Sequence, residues 1–295
     1  MSENIVTKEY AKSLLPKRIQ NSHKGTYGSV LNVAGSINYR GAAYLSSVSA
    51  LKVGAGYVAL AGIKEVINSV SALCPEAVFV PLKEKNGTIE KNEYKKILEI
   101  LPKYKVLSFG CGLSSMFENH GEAKDFIRNL INAVKNIDIP VIIDADGLNI
   151  ISKLNISKLP KNSILTPHPN ELSRLLDINV SEIQNNREKY AKEAAKKYKS
   201  VVILKGFETV ITDEEKTYIN KTGNSALSKA GSGDVLSGMI SGFCAQGVNP
   251  FDSAVLGVYL HGLTGEISSE KLTQYGVNAS DLIKYIPDAI KTLCD

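Results

Sequence analysis

The sequence has no GxxxxGK[ST] phosphate loop and no GxGxxG turn behind a strand-like run. A Walker-type nucleotide site and a Rossmann dinucleotide fold are therefore not expected. Its four cysteines, Cys74, Cys111, Cys244 and Cys294, contain no CxxC pair, and with the four histidines they make no metal-ligand spacing. Cys74 and Cys244 lie in apolar surroundings and read as small core residues. This cysteine usage fits a reducing, cytoplasmic setting. The stretch MSENIVTKEY lacks the apolar centre of a signal peptide. No apolar run is long enough to cross a bilayer, so no membrane partner is expected. Basic residues interleaved with aromatics are also missing, which excludes nucleic acid as a partner. The densest basic run, Lys192 to Lys199, surrounds Ala194 and Ala195 and reads as the solvated face of a helix.

What is present is ordinary material for a packed core. The 295 residues are 43% hydrophobic and 22% charged, with a formal net charge of +5. A mildly positive field favours phosphorylated ligands. No linker, repeat or low-complexity segment divides the chain, so one domain over residues 1–295 is expected.

Short apolar runs alternate with helical spacing. Val30 to Ala34, Tyr57 to Ala61, Ala77 to Val80, Val106 to Phe109, Val141 to Ile143, Ser163 to Leu165 and Val201 to Leu204 read as strands. Their continuous Val/Ile/Leu character is that of strands covered on both faces of a parallel sheet. Thr209 to Thr212 and Lys216 to Asn220 read as a hairpin about Asp213, Glu214 and Glu215. Lys8 to Leu15, Gly41 to Val53 and Asp125 to Val134 read as helices, as do Ser232 to Gln246, Phe251 to Ser268 and Ser280 to Leu293. The expectation is an α/β fold with a central, mostly parallel sheet flanked by helices on both faces. In such sheets ligands sit beyond the carboxyl ends of the strands. Five strands run into polar or glycine-rich segments there: Gly35-Ser36, Gly110-Cys111-Gly112, Asp144 to Gly147, Thr166 to Glu171, and Lys205-Gly206.

The segment Asn224 to Gly238 carries the strongest chemical signal, a Gly231-Ser232-Gly233-Asp234 turn opening an apolar helix. A helix start offers unpaired N–H groups and a positive dipole end, and glycine lets a phosphate approach them closely. Asp234 in the first turn could accept a proton from a substrate hydroxyl as a phosphoryl group arrives. It could equally be a first-turn carboxylate that favours the helix. His168, between Pro167 and Pro169, is held in extended geometry and presented at a strand end. Glu171 could hold Mg²⁺ through water or complement a helix dipole. Asp144, Asp146 and Asn149 follow a buried strand; if that strand continued, the two carboxylates would point to opposite faces. Asp146-Gly147 could also be a plain turn. Lys205 could meet a phosphate as a point charge, or simply enter a hairpin turn. His23 to Ser29 carries glycines that would admit a ligand. His120 reads as incidental, and His261 as a satisfied core residue.

Taken together, the segments HKGTYGSVLNVAGS, GAAYLSSVSALKVGAGYV, DADGLN, LTPHPNE, LKG and NSALSKAGSGDVLSGMISG resemble the ADP/ATP-dependent NAD(P)H-hydrate dehydratase family, the carbohydrate-kinase-like branch of the ribokinase-like superfamily. The resemblance covers nearly the whole chain. It implies a ribokinase-like fold and a carbon–oxygen lyase activity of nicotinamide cofactor repair. The S epimer of NAD(P)H-hydrate would be phosphorylated on its 6-hydroxyl and lose phosphate to give NAD(P)H. ADP or ATP would be the phosphoryl donor, with Mg²⁺.

Carried over by position, Ala42, Gly112, His168 and Asp234 contact the hydrated dinucleotide, and Asp234 is the catalytic base. Lys205, Gly206, Phe207, Glu208, Thr209 and Gly233 form the adenine-nucleotide site, and Gly231, Ser232 and Gly233 the anion hole. The resemblance also implies a homo-oligomer, such as a tetramer. With no epimerase domain expected in this chain, a separate NAD(P)H-hydrate epimerase would serve the R epimer. The chain departs from the family pattern at Asn170, where Gly is frequent, at Cys111, where Pro is frequent, and at Ser232, where Thr is frequent. Two rival readings use the same turn, a small-molecule kinase of this fold and a catalytically silent nucleotide sensor.

Overall fold

The computed structural model describes residues 4–114 and 121–294, so His120 lies outside the described residues. The strands of the main sheet are β1 (Ser29–Val33), β2 (Tyr57–Ile63), β3 (Val78–Leu82), β6 (Val106–Phe109), β7 (Val141–Ile143), β8 (Ser163–Leu165), β9 (Val201–Leu204), β10 (Thr209–Thr212) and β11 (Thr217–Asn220). Two short strands, β4 (Glu84–Lys85) and β5 (Thr88–Ile89), pair only with each other. The nine-stranded order is β11-β10-β9-β8-β7-β6-β1-β2-β3. Strands β3 through β9 of that order run parallel, and the β10–β11 hairpin closes one end antiparallel.

Strands β6, β7, β8 and β9 are buried at every residue. Their unbroken apolar character follows from cover on both faces. The helices between the strands are α2 (Arg40–Lys52), α3 (Lys64–Ser71), α4 (Tyr94–Ile100), α5 (Gly121–Val134), α6 (Asp146–Lys153), α7 (Pro169–Leu176), α8 (Val180–Asn185) and α9 (Arg187–Tyr198). A leading helix α1 (Lys8–Leu14) precedes them; α10 (Ser232–Ala245), α11 (Pro250–Gly276) and α12 (Ala279–Cys294) follow. No helix of the described residues is long and apolar enough to cross a membrane.

From β1 the chain steps to β2 and β3 on one side, then returns to lay β6 on the other side of β1. Right-handed crossovers then place the helices of the two directions on opposite faces. This reversal is a switch point, where the two outgoing connections diverge and leave a crevice. The loops beyond β1 and β6 meet there, with Gly35 N–H donating to the Cys111 carbonyl at 2.9 Å.

Helix α10 packs across α2 and reaches β1, β6 and β7. The approach depends on two glycines. A Cβ at Gly238 would collide with the Ser46 carbonyl, and one at Gly242 would come within 2.6 Å of the Ala50 carbonyl. The small residues of α2 and α10 therefore set where the start of α10 falls relative to the switch point.

The HKG segment lies at the amino ends of the strands, since it leads into β1. There His23 caps a short 3-10 turn. Gly28 serves packing on the edge opposite the crevice, because a Cβ there would strike the Ala245 carbonyl. The basic face of α9 is exposed and Ala194 and Ala195 are buried, as the spacing predicts.

Candidate active site

The five strand-end segments converge. At their centre is Asp144, buried just past β7. Its Oδ1 accepts from Lys205 Nζ at 3.0 Å and from the Ala145 N–H at 2.8 Å. Its Oδ2 accepts from the Ser237 hydroxyl at 2.7 Å, with Cys111 Sγ 3.9 Å away. Burial alone would push the Asp144 carboxyl up, but Lys205 and the hydroxyl bond from Ser237 outweigh it and hold it below the usual carboxylate range. Lys205 is half-buried; desolvation opposes its charge, yet Asp144 and Glu171 raise its pKa and keep it an ammonium. This pair is a fixed floor to the site.

Above that floor stands the first turn of α10. Gly231 caps the helix at φ +91°, a left-handed geometry that suits glycine. A Cβ at Gly233 would lie 3.3 Å from Lys205 Nζ, so the helix start and the ammonium are in direct contact range. Ser232 is braced on both sides, its N–H donating to the Lys229 carbonyl at 3.2 Å and its Oγ lying 3.2 Å from His261 Nε2. Its hydroxyl thus faces the interior. The N–H groups of Gly233 and Asp234, having no carbonyl one turn back in the helix, are the donors the turn offers. His261 is the satisfied core histidine expected from its apolar helix, and burial pushes it down to about 4.

Asp234 is half-buried at this opening. Burial first, and then the charge of Asp144, push its carboxyl up to about 6, against the opposing pull of the Cys111 thiol and Lys205. The Cys111 thiol is itself pushed well up by burial and by the two aspartates. Cys111, Asp144 and Asp234 bring one ligand-type atom each within 4.8 Å of one another.

His168 caps α7, with Nδ1 accepting from the N–H groups of Asn170 (3.1 Å) and Glu171 (3.3 Å). Burial, with Lys205 and Arg174, lowers its pKa to about 4. The ring is therefore neutral at pH 7, and with Nδ1 an acceptor its proton sits on Nε2. Glu171 completes a capping box by accepting from the His168 N–H at 2.8 Å, and its carboxylate is 3.9 Å from Lys205 Nζ. Burial pushes Glu171 up to about 7. It lies outside the Cys111–Asp144–Asp234 group, and it serves at once as a helix cap and as a carboxylate beside the floor.

Ala42 and Gly112 meet at the switch point: a Cβ on Gly112 would come within 2.8 Å of the Ala42 Cβ. The loop from Lys205 to Thr209 continues from β9. Gly206 takes φ +140° and Glu208 φ +53°, the Thr209 hydroxyl donates to the Gly206 carbonyl at 2.9 Å, and Phe207 is 89% exposed.

The model of the NAD(P)H-hydrate dehydratase family matches residues 30–288. The chain belongs to this family. It is 33% identical over 284 residues to the ADP-dependent (S)-NAD(P)H-hydrate dehydratase of Bacillus subtilis, an alignment covering 95% of each protein. The crystal structure of the Bacillus subtilis ADP/ATP-dependent dehydratase, co-crystallized with ATP/Mg²⁺, superposes with a TM-score of 0.84, covering 99% of each chain at 32% identity. A bifunctional NAD(P)H-hydrate repair enzyme of Thermofilum pendens is 37% identical over 283 residues, which are 95% of this chain and 53% of that protein. The chain thus spans about half the length of that bifunctional relative. A ribokinase-like superfamily protein of Enterococcus faecalis matches at a TM-score of 0.85 and 24% identity, which supports the ribokinase-like fold.

Two members of this site do not stand out by spacing. Asp144 is the hub, and Ser237 its third partner. The strand ends at Ile143 and α6 begins at Asp146, so Asp144 and Asp146 are not alternate residues of one strand. Asp146 Oδ2 accepts from the Ser114 N–H at 2.8 Å, and its charge still reaches Asp234. Asn149 turns away to Arg174 at 2.9 Å. The available signal for Asp144 is its place directly after a wholly apolar strand.

Proposed function

We propose that this protein dehydrates the S epimer of NAD(P)H-hydrate, using ADP or ATP as phosphoryl donor. The observation that carries the reading is the half-buried Asp234 carboxyl, poised near neutrality where α10 opens over the Lys205–Asp144 pair. Water leaves badly from the hydrated ring because hydroxide is a poor leaving group. Asp234 accepts the proton of the 6-hydroxyl as that oxygen bonds to the terminal phosphorus, and the bond from phosphorus to the nucleotide's bridging oxygen breaks. The ring nitrogen's lone pair then expels inorganic phosphate to leave an iminium, and the neighbouring ring carbon gives up a proton to water so that its C–H electrons restore the ring double bond. With ADP the second product is AMP.

The N–H groups of Gly233 and Asp234 and the Lys205 ammonium face the charge that develops on the transferring group. Ala42 and Gly112 at the switch point, and His168 beyond the end of β8, hold the dinucleotide. The nucleotide lies against residues 205–209. The carboxylates present suit Mg²⁺ through water rather than directly: the Asp144 oxygens are taken by Lys205 and Ser237, Glu171 closes its cap, and Mg²⁺ keeps several waters. Glu171 is the residue assigned to it. Bound there, the ion would offset the negative charge of the nucleotide's phosphates.

Assembly as a homotetramer, a cytoplasmic setting and a separate epimerase for the R epimer belong to the same proposal. Light scattering of the purified protein reads the first. The activity is tested by adding ADP or ATP to hydrated cofactor and following the return of NADH absorbance. A stable phosphorylated product without recovered absorbance would instead identify a kinase. Nucleotide binding without any turnover would identify a sensor.

A further inference from the structure

Arg187 occupies a position that costs free energy. It is the first residue of α9, where the helix dipole disfavours a cation. It is half-buried, and its Nε is buried without a hydrogen-bond partner. Its remaining donors are aimed at the end of β9 and at its own helix approach. Nη2 donates to the Leu204 carbonyl at 2.9 Å and to the Lys205 carbonyl at 3.2 Å, and Nη1 donates to Gln184 Oε1 at 2.8 Å. A Cβ at Gly206 would lie 3.1 Å from Nη2, so the guanidinium fills the space beside the glycine. The Glu208 carboxylate, across the same loop, acts on the guanidinium charge.

These contacts fix one peptide plane. In a trans peptide the C=O and the following N–H point in opposite directions, and no peptide bond among the described residues is cis. Drawing the Lys205 carbonyl towards Arg187 therefore turns the Gly206 N–H to the other side of the loop. The same tie anchors the residue whose side chain pairs with Asp144 under α10. An arginine is suited to this because one planar fork serves two carbonyls at once.

We infer that Arg187 is a positioning residue for the nucleotide, holding the 205–206 peptide so that its N–H faces the phosphates. The inference rests on the proposed placement of the nucleotide at residues 205–209. Arg187 acts through the loop and touches no reacting atom.

The test compares wild type with R187A, R187Q and R187K, measuring kcat, the KM for ADP, the KM for hydrated cofactor and the melting temperature. R187A is expected to raise the KM for ADP by roughly ten- to a hundredfold, the size of losing the Gly206 N–H hydrogen bond to a charged phosphate. The KM for hydrated cofactor should stay within about twofold. Added guanidinium ion should restore the KM for ADP of R187A toward wild type, and R187K should fall between wild type and R187A. If R187A does not fold, R187Q gives the same comparison, since it keeps a hydrogen-bonding stem without the charged fork. An unchanged KM for ADP in R187A or R187Q overturns the inference. So does an equal rise in both KM values with a lower melting temperature that guanidinium leaves unaltered. Wild-type protein that neither binds ADP by calorimetry nor turns over would overturn the functional reading instead, whereas wild-type turnover with variants indifferent to ADP removes only the role of Arg187.

Discussion

Replacing Asp234 with asparagine should make the protein more stable while abolishing its activity. The carboxyl titrates at about 6 in the folded chain, against about 3.9 for a free aspartate. Between those values the native state binds more protons than the unfolded state, so stability falls as pH rises through the interval. Group by group the sign is that of a raised pKa: the contribution is fully present below about pH 4 and is lost by about pH 7. The difference of about 2 units corresponds to about 3 kcal/mol at most, and solvent screening of a half-buried group reduces it to about 1–2 kcal/mol. The asparagine side chain would carry no charge beside Asp144 and so would not incur this loss. At roughly 2–4 °C per kcal/mol for a chain of this size, D234N should melt about 2–8 °C above wild type at pH 7. The gap should shrink at pH 5, where the wild-type carboxyl is mostly protonated. Turnover should fall by about 10²–10⁴-fold. Thermal melts of both proteins from pH 5 to pH 8, beside the absorbance assay, provide the comparison. A D234N protein that melts at or below wild type at pH 7, or a gap that ignores pH, would refute the reasoning.

The same titration should appear in the kinetics: kcat/KM is expected to fall about tenfold per unit below roughly pH 6, because a protonated Asp234 cannot accept the hydroxyl proton. The pH–rate profile reads this directly, and a limb near 4 would contradict it. K205M should destabilise the fold by about 3–5 kcal/mol, since it strands the buried Asp144 charge; urea unfolding measures the loss. Ala145, between the two aspartates, is held at φ +46° and ψ −112°, a region that costs a non-glycine residue about 1–3 kcal/mol. A145G should therefore raise the urea midpoint, while a lower midpoint would show that the backbone there is not strained.

The sheet is legible in the sequence because its strands are covered on both faces. Val106 to Phe109, Val141 to Ile143, Ser163 to Leu165 and Val201 to Leu204 are buried at every position and bounded as expected. The edge strand is less so: Ala77 to Val80 is expected and Val78–Leu82 is found, since an edge tolerates Pro81 inside it. The β4–β5 hairpin has only two residues per strand, too few for any periodicity. Helix α11 continues past the expected end at Ser268, through polar and exposed residues, until the backbone leaves helical geometry at Thr273 (φ +64°, ψ 157°), short of the Gly276 bound. At the site, the glycines and Asp234 are visible as one contiguous turn. The Asp144–Lys205 pair joins residues 61 positions apart, and only the parallel register of β7, β8 and β9 brings them together. Arg187 is hidden from sequence reasoning because it opens a helix that reads as solvated.

The cover of α2 has a consequence for synthesis. The groove that receives Gly238 and Gly242 is made well before the helix that fills it. Until α10 emerges, α2 and the sheet, whose strands all precede α10, expose an apolar surface that neighbouring chains can occupy. Completion of the fold thus waits on α10, and ribosome-bound intermediates are where holdase chaperones would find it.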